Sequence, residues 1–155
     1  MNLAIFIFLI VLLMNIAVTF KKELSLFEIF FIWMIVWLIT HSLSSILIEN
    51  LELISVSHKL PNFWLHVLKR LLLYPLITIH FIDYFLRYNS KLFRSLIFTL
   101  NIIVMILLEF LFINLGVLIN LNYSVWISLI EWSFTLGLTY VTWLWYRKKY
   151  IEVTT

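Results

Sequence analysis

Cysteine is absent from the 155 residues, which excludes disulfide frameworks, thiolate metal sites and cysteine nucleophiles. With 2 glycines and 2 prolines the chain has no phosphate-cradling Gly loop, no GxxxG packing motif and no glycine-broken helix of the kind transporters use at the midplane. Charge is also scarce. Charged residues make up 12% of the chain, where roughly a quarter is usual in soluble domains. No run of Lys and Arg exceeds three residues, so nucleic acid is not an expected partner. What is there is 64% hydrophobic and 18% aromatic, with a mean hydropathy of +1.07. Lipid is the solvent for most of such a chain, and it reads as a single transmembrane domain over residues 1–155.

Apolar stretches long enough to cross a bilayer core, about 20 residues each, predict an all-α integral membrane bundle of five helices. The spans fall at about 2–20, 26–48, 63–88, 95–118 and 125–146. The first carries no charge and is followed at once by Lys21, Lys22 and Glu23. A cleaved signal peptide has its charge in front and small residues behind, so this segment reads as a retained helix. Lys21, Lys22, Arg87, Lys91, Arg94, Arg147, Lys148 and Lys149 fall on one side, and Lys59, Lys69 and Arg70 on or toward the other. The eight belong in the cytoplasm by the positive-inside rule, which gives an outside N-terminus and a cytoplasmic C-terminus. Trp64, Trp126, Trp143 and Trp145 sit near span ends, where aromatic anchors belong; Trp33 and Trp37 lie deeper.

The polar residues inside these spans are patterned. At 100° per residue, Asn62, His66, Lys69, His80, Asp83 and Arg87 share about one third of the third helix's circumference. In the fifth helix Ser124, Ser128, Glu131, Thr135, Thr139, Thr142 and Tyr146 share an arc of about 80°. Lipid satisfies none of these groups, so the stripes face inward. His41, Lys69, Arg70, Glu109 and Glu131 all lie roughly 10 to 15 Å in from the outer surface. They are expected to form an ionic cluster in the outer leaflet. His80, Asp83 and Arg87 form a second polar face nearer the inner surface, with Asp83 and Arg87 in the favourable i, i+4 order. Pro75 removes a backbone donor inside the third span and predicts a kink there.

No catalytic, cofactor-binding or metal-ligating constellation stands out. The histidines His41, His58, His66 and His80 form no HExxH and no i, i+3 or i, i+4 pair, and GxSxG is absent. The sequence therefore points away from an enzyme and toward a non-catalytic subunit or accessory factor, with the lipid bilayer, a membrane-protein partner or further copies of itself as partners. Two alternatives stand beside it. One is a proton-linked carrier or ion pathway using the intramembrane His, Asp and Glu. The other, less favoured, is an intramembrane enzyme acting on a lipid-linked phosphate, which the outer cations would suit.

The stretch LLLYPLITIHFIDYF (71–85), Arg94, Glu109, NYSVW (122–126) and Trp143 resemble a family of small five-span membrane proteins of Bacillus-type, endospore-forming bacteria. The resemblance covers roughly Lys69 to Trp143. It implies a five-helix fold in a Gram-positive cytoplasmic membrane and carries no activity. Many members have an FN pair where this chain has Asp83 and Tyr84.

Overall fold

A computed structural model describes residues 23–151; the expected first span, with Lys21 and Lys22, lies outside them. The described residues are mostly helical. Helix α1 (Leu26–Ser45) continues through a π turn (Ile46–Asn50), and α2 (Leu60–Leu68) runs through a second π turn (Lys69–Leu73) into α3 (Tyr74–Arg87). Helices α4 (Lys91–Asn114) and α5 (Val125–Tyr146) complete the set. Three of the continuous helices are long and apolar enough to cross a membrane, namely Leu26–Asn50, Leu60–Arg87 and Lys91–Asn114. The chain is a membrane protein.

Local chemistry sets the helix ends. Before α1, the Ser25 hydroxyl accepts from the Glu28 amide at 3.3 Å and the Glu28 carboxylate accepts from the Ser25 amide at 2.8 Å, a reciprocal capping box. Helix α4 stops at Gly116, whose φ of 69° suits a residue without Cβ. There the amides of Gly116 and Val117 donate to the carbonyls of Ile113 and Phe112, closing a Schellman cap. Helix α4 thus occupies 91–114 rather than the expected 95–118. Lys91 and Arg94 lie in its first turn because a helix can extend past the apolar layer, which a hydropathy reading cannot see.

A two-stranded antiparallel pair was not anticipated. Strands β1 (Ile54–Val56) and β2 (Leu118–Asn120) pair with Ile54 opposite Asn120 and Val56 opposite Leu118. They tie the α1–α2 connection to the α4–α5 connection, and Asn62 Nδ2 donates to the Gly116 carbonyl at 2.8 Å beside them. In the bundle α1 packs on α3 and α5, and α4 closes the ring against both α3 and α5. The interior is layered. Ile32, Val36, Ile79, Ile82, Met105, Trp132 and Leu136 fill an apolar middle, while Leu65, Leu73, Phe112, Val117 and Tyr123 form a second cluster under the strands.

Candidate functional site

The buried charges meet between these two clusters. Lys69 opens the π turn after α2 at 1% exposure, and its Nζ lies 3.0 Å from Glu109 Oε1 on α4. The other carboxylate oxygen of Glu109 accepts from the Tyr74 hydroxyl. Tyr74 and Phe112 also place their rings 5.4 and 5.0 Å from the ammonium, so the cation has a carboxylate on one side and π faces on others. Glu131 on α5 accepts from the Tyr123 hydroxyl at 2.5 Å. Tyr123 precedes α5, and its phenol is pushed above the ordinary range, first by burial and then by the Glu131 and Glu109 charges.

Arg70 binds two imidazoles. Its Nη1 lies 3.2 Å from His66 Nε2 and its Nη2 lies 2.6 Å from His41 Nδ1. Guanidinium groups only donate, so both of those ring nitrogens serve as acceptors. The His41 ring also stacks on Trp37. By the same logic His66 carries its proton on Nδ1, which is buried without a hydrogen-bond partner. His66, Glu109, Glu131 and Ser44 are among the residues bordering a cavity of about 10 Å³, close to the minimum that holds one water molecule. All five residues expected in the outer cluster are thus brought together: His41, Lys69, Arg70, Glu109 and Glu131.

The inner face is built differently. Asp83 and Arg87 pair at 2.7 Å as their spacing predicts, and Asp83 Oδ1 also accepts from the Glu23 amide at 2.7 Å. His80, on the same helix, borders a groove between α3 and α4. The π turn at Lys69–Leu73, where the Tyr74 amide reaches back to the Lys69 carbonyl, turns this face away from that of Asn62, His66 and Lys69. One extra residue in a turn rotates everything beyond it by up to about 100° relative to an ideal helix. The stripe read at constant pitch is therefore two stripes. The π turn directly precedes Pro75, which cannot donate to the Leu71 carbonyl, so the proline's effect falls in the turn before it.

Glu28 was missed by the sequence reading, although its signal, Ser25-x-x-Glu28 ahead of an apolar run, is a capping box. At 2% exposure, its Oε1 accepts from Trp143 Nε1 at 3.0 Å and lies 3.8 Å from Arg147 Nε. It clamps the start of α1 to the end of α5. Tyr74 and Tyr123 were not singled out either, although they stand in the YP and NYSVW stretches.

Between the outer and inner polar sets lies the apolar middle, and the threonines that cross it are satisfied on their own helices. Thr40, Thr78, Thr135 and Thr139 each donate to the carbonyl four residues earlier, at 2.7 to 2.9 Å. Among the described residues no group of three His, Asp or Glu side chains is placed to hold a metal ion. Comparison of the chain with family models, curated proteins and solved structures finds no match.

Proposed function

We propose that this chain is a non-catalytic subunit or accessory factor of the cytoplasmic membrane, crossing it five times with the N-terminus outside and the C-terminus in the cytoplasm. Helix α5 serves as a span beside the three more apolar ones. It is 22 residues long, keeps Ser128, Thr135 and Thr139 inside, and turns Trp126, Ile130, Phe134, Val141 and Trp145 outward. Its indoles and phenols lower its hydropathy while remaining well suited to the bilayer interface.

The observation that carries the reading is the closure of the charge cluster. Lys69 and Tyr74 bind Glu109, Tyr123 binds Glu131, and Arg70 binds His41 and His66, while one member of each group, Glu109, Glu131 and His66, borders a common cavity of about 10 Å³. An apolar layer, with threonines bonded to their own backbone, separates them from Asp83 and Arg87. A carrier needs a hydrated route between such sets, whereas a cluster whose charges are held by neighbouring helices specifies which helices meet and in what register. The connections are too short to recognise a soluble ligand by themselves, so partners meet the protein within the bilayer or at the basic surface of Lys91, Arg94, Lys148 and Lys149.

Mild cross-linking in native membranes, followed by purification and mass spectrometry, tests this together with proton-flux assays in liposomes. The expected result is one membrane protein recovered in near-stoichiometric amount, with flux no greater than in empty liposomes. Dissipation of a pH gradient that Glu109→Gln abolishes would replace the subunit reading with a proton pathway.

A further inference from the structure

A groove of about 530 Å³ runs between α3 and α4, from Leu73 and Leu108 at one end to Tyr88 and Phe93 at the other. Its walls are apolar or aromatic except near the middle, where α3 contributes His80 and α4 contributes Asn101. Asn101 is 8% exposed, and its Oδ1 is enclosed without a hydrogen-bond partner. An amide oxygen left so carries the desolvation penalty of an unmade hydrogen bond. Ten residues into α4, it lies about 15 Å from the helix end, well below the level of phospholipid headgroups.

The surroundings restrict what fills this space. The size falls within the range of about 300 to 1,000 Å³ typical of small-molecule sites. Phospholipid chains enter such a groove but bring no hydrogen-bonding group to this depth. A lipid whose head is one or two hydroxyls can sink further, because burying a hydroxyl costs far less than burying a phosphate. A hydroxyl both donates and accepts, so it satisfies the carboxamide whichever way its oxygen and nitrogen are turned.

We propose that the groove between α3 and α4 binds a small-headed, hydroxyl-bearing membrane lipid, its hydroxyl on Asn101 and its chain along the apolar walls. Diacylglycerols, long-chain prenyl alcohols and quinols share this chemistry. The site is separate from the charge cluster, so its failure leaves the subunit reading untouched.

Native mass spectrometry of the full chain in nanodiscs tests the site with dioleoylglycerol, geranylgeraniol and a decyl quinol, each beside its hydroxyl-acetylated counterpart. At least one hydroxyl form should bind, about tenfold more tightly than its acetate, as expected for one lost hydrogen bond at a buried polar group; which one binds identifies the source. Asn101→Leu should remove that preference and leave phospholipid adducts unchanged. Should this variant fail to fold, the comparison of alcohol with acetate on the unaltered chain still decides. Equal binding of alcohol and acetate, binding of none of the probes, or a photo-cross-link from position 101 to another protein would each overturn the proposal.

Discussion

Lys69 bears a heavy solvation penalty, since at 1% exposure its ammonium, moved into a low-dielectric interior, loses several kcal/mol of hydration. Its attraction to Glu109 and two aromatic faces offsets that loss without greatly exceeding it. The pair therefore selects an arrangement more than it stabilises one. Lys69→Met alone should strand the Glu109 carboxylate and cost about 3 to 5 kcal/mol, whereas Lys69→Met with Glu109→Leu should recover most of that loss. Thermal unfolding of the single and double variants in detergent measures the difference, and a double variant as unstable as the sum of its singles would show that the two side chains are not coupled. The members of this cluster were legible in the sequence because lipid leaves intramembrane charges of opposite sign at one depth nowhere to go except toward each other. The phenols were not. A tyrosine near a span end reads equally as an interfacial anchor and as a hydrogen-bond donor, and only the fold puts Tyr74 on Glu109 and Tyr123 on Glu131.

The helices themselves were legible from apolar length, and Val125–Tyr146 matches its expected bounds. Departures arise where backbone hydrogen bonding, rather than hydropathy, decides. A constant 100° per residue merges His80 with Lys69, and the π turn before Pro75 separates them. Equally, hydropathy lets α4 run on to Leu118, while the cap at Gly116 ends it and frees Leu118–Asn120 to pair with Ile54–Val56. This cap gives the prediction proper to an element. A Cβ at Gly116 would meet nothing within 4 Å, so Gly116→Ala is penalised for its positive φ and not for a clash. The cost should be about 1 to 2 kcal/mol, seen as a fall of several degrees in melting temperature. A melting temperature that stayed the same would mean that the strand pair, and not the cap, holds this end of the bundle.

At the scale of the whole molecule, the charges on and around the helices should set its orientation. Among the described residues, Arg87, Lys91, Arg94, Arg147, Lys148 and Lys149 fall on the side of the 88–90 connection and the end of α5, and Lys59, Lys69 and Arg70 on or toward the side of the strand pair. Orientation follows such a bias when it lies in short connections, as here. The strand pair ties both connections at its end together, so the two must share a side, and His58 there and Asn89 at the other end are both exposed. Because the chain has no cysteine, single substitutions report on this without background. In intact cells His58→Cys should react with a membrane-impermeant maleimide, and Asn89→Cys should react only after the membrane is opened. The reverse pattern would invert the orientation and place the basic surface outside. Labelling of both positions in intact cells would mean that the helices between them do not span the bilayer an odd number of times. That outcome would undo the five-span reading along with the docking surface assigned to Lys91 and Arg94.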